Sequence, residues 1–141
     1  MADNLSSGAT GVTVVDESLI TYTHAIYALH ALAVLIGITT AASIVFSFVC
    51  GIPSIVAVIM NYVRRAATRG TFLESHFRWQ IRTFWFALMW TLIIWVVSLP
   101  FIVVLVGLAM LYTGFVALGV WIIYRVARGW LALRDRRPMY I

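Results

Sequence analysis

The sequence predicts an all-α integral membrane protein with four transmembrane helices arranged as two hairpins. A cytoplasmic interfacial helix is expected between the hairpins, with both chain termini on the cytoplasmic side. Three observations predict this fold. Of 141 residues, 63% are apolar and only 11% charged, where a soluble domain averages about 45–50% and about 25%, and the mean hydropathy is +1.00. Two apolar stretches free of Arg, Asp and Glu, each of roughly 40 residues, are long enough for two crossings of a hydrocarbon core about 30 Å thick. Every basic residue falls in two segments that a four-span layout places on one side. A soluble fold of this length would need far more polar residues to cover its surface, so one lipid-embedded domain is expected.

Residues 1–20 read as a polar, flexible tail. Met1 to Leu19 is rich in Ser, Gly and Thr and carries Asp3, Asp16 and Glu17 with no basic residue, so it lacks the charged start of a signal peptide. The transmembrane domain is expected over 21–127. Its first hairpin runs from Thr21 to Val63 and has two candidate turns. Cys50-Gly51-Ile52-Pro53 is the stronger breaker, while Thr39 to Ser43 divides the residues more evenly. Arg64 and Arg65 close this hairpin. Residues 66–82 then form a cytoplasmic loop and an interfacial helix with Arg69, Glu74, His76, Arg78, Gln80 and Arg82 among Phe72, Phe77 and Trp79. Thr83 to Tyr124 gives the second hairpin by the same length argument, its tip between Pro100 and Gly107. Pro100 either turns the chain or kinks the third helix. Residues 128–141 are a basic cytoplasmic tail.

All ten basic residues are arginine. Five lie at Arg64, Arg65, Arg69, Arg78 and Arg82, five at Arg125, Arg128, Arg134, Arg136 and Arg137, and none in either hairpin turn. By the positive-inside rule their side is the cytoplasm, and an even number of spans places the acidic N-terminal tail there too. A net charge of +5 makes anionic lipid headgroups a natural partner. Nucleic acid is not expected, because the arginines flank apolar spans instead of forming a soluble basic face. Cys50 is the only cysteine, which excludes an internal disulfide and a cysteine metal cluster.

At 100° per residue, His30, Ala33, Gly37 and Ala41 form a small-residue stripe on the first helix that lets another helix approach closely. His30 heads it, where an ionisable side chain must face protein or water. A neutral imidazole bonded to a neighbouring hydroxyl or carbonyl is one reading, and a proton relay or ligand the other. In the stretch from Thr71 to Arg82, Glu74 and Arg78 form an i, i+4 pair, and His76 and Gln80 form a second one on a different side. The bland reading is a surface helix whose arginines snorkel to phosphates. The sharper one is a buried polar network of His30, Asn61, Glu74, His76 and Gln80.

A metal site would have to draw on His24, His30, Glu74 and His76, and no HExxH, paired-cysteine or carboxylate-rich motif supports one. No phosphate-cradling glycine loop or Gly-x-Ser-x-Gly is present, and no acid lies within an apolar span. No cofactor and no catalytic residue is therefore expected. The last two spans contain no histidine to complete a haem site.

Glu74-x-His76-x-Arg78-x-Gln80, after an apolar hairpin that contains Gly51-x-Pro53 and ends in Arg64-Arg65, resembles a widespread bacterial family. Its members are small four-helix inner-membrane proteins of unknown function, distantly similar to the protein-import component of the chloroplast inner envelope. The resemblance spans roughly His30 to Tyr124 and implies the architecture without implying catalytic residues. The Trp-rich stretch from Arg78 to Trp85 departs from the commoner members. The expected function is a non-enzymatic docking or assembly module that binds anionic lipid or a protein partner through Arg64, Arg65, Arg69, Arg78 and Arg82. An oligomeric channel or translocation component is the alternative, since four short-looped helices alone enclose little space.

Overall fold

The computed structural model describes residues 15–37 and 41–139. Its helices are α1 (Glu17–Ile36), α2 (Ala41–Cys50), α3 (Ile52–Arg64), α4 (Phe72–Ser98) and α5 (Val106–Arg134), with 3₁₀ turns at Arg65–Thr68 and Leu99–Val104. Among the described residues there is no strand. Three stretches are long and apolar enough to cross a membrane: Glu17–Ile36, Phe72–Val104 and Val106–Arg134. The chain therefore has the make-up of a membrane protein, with large apolar side chains such as Ile52, Val63 and Val103 on its outer faces.

Asp16 starts α1 by accepting the Ser18 hydroxyl at 2.6 Å and the Ser18 backbone N–H at 2.9 Å. These bonds, the hydroxyl's first, hold the Asp16 carboxyl below the usual carboxylate range. The helix thus begins at Glu17, inside the segment expected to be a flexible tail, and it buries Leu19 and Ile20. It ends at Ile36, with Gly37 as its C-cap. His30, Ala33 and Gly37 of the small-residue stripe are buried, whereas Ala41 belongs to α2.

Helix α3 runs antiparallel to α1. The Tyr22 hydroxyl donates to the Met60 carbonyl at 3.0 Å, and His30 meets Ser54 at 3.0 Å. Phe48 of α2 stacks on the His30 ring with centroids 5.0 Å apart, and Ala31 and Val34 of α1 pack against the cluster that contains Val45 and Phe48. Helices α2 and α3 therefore follow one another along α1, and Cys50–Pro53 breaks a leg instead of forming a hairpin tip. The reason is local. Gly51 is the extended N-cap of α3, and Pro53 sits in its first turn, where no intrahelical N–H partner is lost. Thr39 and Thr40, in the other candidate turn, lie outside the described residues.

The interfacial helix expected within 66–82 is not a separate element. Residues 72–82 are the first turns of α4, which runs unbroken for 27 residues, because the sequence places neither Gly nor Pro between Phe72 and Ser98. Pro100 turns the chain. It opens the 3₁₀ segment, Leu105 closes it at φ 61°, and α5 returns antiparallel to α4. A side chain at Gly107 would collide with the Ser98 carbonyl and the Ile102 backbone nitrogen, so the tip requires glycine there.

Helix α5 continues to Arg134, so the expected tail from 128 is helical over its first seven residues. It ends in a Schellman motif, with Arg136 at φ 51° and N–H bonds from Arg137 to Ala132 and from Arg136 to Leu133, both 2.9 Å. The central core joins Phe48, Val58, Phe84, Phe115 and Ile122 from α2, α3, α4 and α5. A second cluster, Leu19, Tyr27, Leu73 and Leu133, closes the end where the arginines gather.

Candidate functional site

The C-terminal end of α3, the N-terminal end of α4 and the C-terminal end of α5 meet at one end of the bundle. All ten arginines lie there. Arg136 donates to the Glu17 carboxylate of α1 at 2.8 Å, and the Arg64 guanidinium lies 5.5 Å from the Tyr22 ring centre. Arg64, Arg65 and Arg69 are exposed around the 3₁₀ turn and the loop that Gly70 closes at φ 76°. Arg78 and Arg82 are exposed on α4.

Beneath this surface the polar residues sort into two groups. His76 is fully buried. Its Nε2–H donates to the Arg137 carbonyl at 2.8 Å. A carbonyl only accepts, so the neutral ring leaves Nδ1 to accept the Tyr27 hydroxyl at 3.0 Å. The left-handed turn at Arg136 aims that carbonyl inward, and the Met139 N–H donates to Ser75 Oγ at 2.9 Å. The last described residues are thereby pinned onto α4.

The second group surrounds a small cavity lined by Tyr27, His30, Gln80, Thr83 and Arg125 with Phe48 and Trp79. His30 Nδ1 pairs with Ser54 Oγ, whereas His30 Nε2 and both amide atoms of Gln80 have no protein partner among the described residues. About 10 Å³ is open to the centre of a water-sized sphere, the size of a site for a single hydrogen-bonding water. Arg125 forms part of the cavity wall. Its guanidinium stacks on Trp79 at 3.5 Å, its Nε donates to Thr83 Oγ1 at 2.7 Å, and the Trp79 Nε1–H donates to the Arg125 carbonyl at 3.1 Å.

Of the expected network, His30, His76 and Gln80 are thus brought into one buried neighbourhood, linked through Tyr27 and the cavity instead of by direct bonds. Asn61 is also fully buried, but neither amide atom finds a partner among the described residues. Glu74 does not belong. It faces outward, accepts from Arg78 at 3.0 Å and from the Gly70 N–H at 3.1 Å, and lies on the opposite edge of α4 from His76. The four residues considered for metal binding have separate partners, His24 accepting the Trp130 indole N–H at 3.1 Å. Among the described residues no three His, Cys, Asp or Glu converge.

Arg125 is not among the arginines the sequence marks for docking; it enters only in the count of the five C-terminal ones. The available signal was Trp121, four residues earlier and thus on the same helix face; its ring centre lies 4.9 Å from the guanidinium. Comparisons with family models, with curated proteins and with solved structures find no match to this chain.

Proposed function

We propose that the protein is a non-enzymatic four-span protein of the bacterial inner membrane, N-in and C-in, whose arginine-rich cytoplasmic end docks anionic lipid headgroups. In this arrangement α2 and α3 together form the second crossing and α1, α4 and α5 the others. The observation that carries the reading is the imbalance of charge at one end. Glu74, Asp135 and Glu17 pair with Arg78, Arg134 and Arg136, and the other seven arginines have no carboxylate partner among the described residues. Such a surface suits the negatively charged cytoplasmic leaflet. The resemblance of the Glu74 to Gln80 motif to small inner-membrane proteins supports the same topology.

Among the described residues the cavity at His30 and Gln80 is sized for one water molecule, which favours this reading over a channel formed within one chain. Replacing Arg64, Arg65, Arg78 and Arg82 by Gln tests the proposal. Anionic phospholipid that copurifies with the wild-type protein in mild detergent should fall sharply, and unchanged retention would refute it. Loss of a copurifying protein with lipid unchanged would make the face a protein-docking surface instead.

A further inference from the structure

On the outer side of the α4/α5 seam, two depressions succeed one another. The first lies at the arginine-rich end and is lined by Trp79, Arg82, Phe86 and Arg125, with a volume of about 120 Å³. The second is a groove of about 460 Å³ lined by Trp90, Ile94, Gly114, Ala117, Leu118 and Trp121. Phe86 and Trp90 are one turn apart on α4, and Trp121 and Arg125 are one turn apart on α5. The two depressions therefore share one face, charged and aromatic at the top and apolar below.

We infer that this seam is a binding site for one anionic phospholipid, with its phosphate between Arg82 and Arg125 and one acyl chain in the groove that runs past Trp90 and Gly114 to Ile94. This assignment rests on the lipid-docking reading above and narrows it to a defined place and chemical class. Three features fix the occupant. Arg82 has no hydrogen bond or ion pair among the described residues, and Arg125 spends its Nε on Thr83 while its terminal nitrogens remain for a phosphate. No acidic residue lines either depression. The length also matches. Arg82 to Ile94 is twelve residues, or about 18 Å of helix, close to the roughly 15 Å of hydrocarbon in one leaflet. The groove exists because Gly114 presents no side chain to Ile94, whose nearest atom would lie 3.0 Å from a Cβ there.

Native mass spectrometry of the full chain, with phosphatidylglycerol as the probe and phosphatidylcholine as the control, tests the site. Three variants are compared with the wild type: Arg82→Gln, Ala117→Phe to fill the groove, and the triple Arg64→Gln/Arg65→Gln/Arg69→Gln. Ala117 is exposed, so its replacement leaves the buried core intact. One phosphatidylglycerol per chain should be retained, falling about tenfold or more with Arg82→Gln, falling also with Ala117→Phe, and falling less with the triple variant than with Arg82→Gln, since the triple variant removes only the general attraction of the basic surface. Equal losses from the triple variant and Arg82→Gln, with Ala117→Phe silent, would overturn the seam and leave a diffuse basic surface. Sensitivity to Arg82→Gln with Ala117→Phe silent, together with displacement of the phosphatidylglycerol by millimolar inorganic phosphate, would mean a free-phosphate site and overturn the lipid assignment. Phosphatidylglycerol held no better than phosphatidylcholine would overturn both the site and the docking reading.

Discussion

Gly129 of α5 lies against the ring that orders the buried polar group, and replacing it by alanine gives a perturbation whose size follows from the structure. A Cβ at this position would fall 2.5 Å from Tyr27 Oη, 2.6 Å from Cε1 and 2.9 Å from Cζ. Ordinary carbon contacts begin near 3.5 Å, so the ring must move by about 1 Å. Tyr27 is 1% exposed and its hydroxyl is bonded to His76, so it cannot rotate into open space. Overpacking costs about 1–3 kcal/mol, and leaving the buried His76 Nδ1 without its donor costs about 1–3 kcal/mol more. Alanine's advantage over glycine within a helix offsets about 1 kcal/mol. Gly129→Ala should therefore destabilise by about 1–5 kcal/mol on those terms, read as SDS-induced unfolding of the protein in mixed micelles. Tyr27→Phe removes the same hydrogen bond, so the double variant should lose less than the sum of the two single losses. A Gly129→Ala protein as stable as the wild type, or strictly additive losses, would refute the coupling of α5 to His76 through Tyr27.

Other predictions test separate parts of the fold. Leu105 is exposed and holds φ 61° at the α4/α5 tip; Leu105→Gly should stabilise by about 1 kcal/mol, and a loss of stability in the same unfolding assay would show that the leucine makes contacts worth more than its strain. Glu74→Gln should leave thermal stability unchanged, because the Arg78 pair is exposed; a clear fall in melting temperature would place Glu74 in the buried network after all. Cys50 is exposed on the outer face at the break between α2 and α3, midway along a leg. A charged, water-soluble maleimide should label it only after the protein is unfolded in SDS, because a thiol in hydrocarbon stays protonated and out of the reagent's reach, whereas efficient labelling of the folded protein in the membrane would restore the break as a hairpin tip.

The second hairpin was readable because Pro100 and Gly107 are the breakers within an otherwise continuous apolar run, and both act as such. The first was harder for a physical reason. Gly51 and Pro53 form as strong a breaker by local propensity, yet a helix can restart at a proline without losing a hydrogen bond, so the chain bends there and keeps its direction along α1. The same logic merged the expected interfacial helix into α4, since no residue between Phe72 and Ser98 stops it. Within the site, polar residues in apolar surroundings marked His30, Asn61, His76 and Gln80 as buried. Their partners were hidden, because Tyr27, Ser54 and the Arg137 carbonyl lie far away in sequence and meet them only through packing. Glu74 shares a short stretch with His76 and Gln80 but not their helix face, and its arginine neighbour one turn on satisfies it at the surface.

Cysteine accessibility in intact bacterial cells tests the central claim most directly. In a Cys50→Ser background, single cysteines are placed at Ser18, Ile36, Arg69 and Val103, Ile36 being exposed at the far end of α1 and Val103 90% exposed at the α4/α5 tip. With an impermeant maleimide, Ile36→Cys and Val103→Cys should label from outside, and Ser18→Cys and Arg69→Cys only after the membrane is opened. That result would put the arginine-rich end in the cytoplasm and require α1 and the α2/α3 leg to cross as a pair. Labelling of Arg69→Cys from outside, or of Ser18→Cys and Arg69→Cys from opposite sides, would contradict the four-span arrangement and with it the cytoplasmic lipid-docking face.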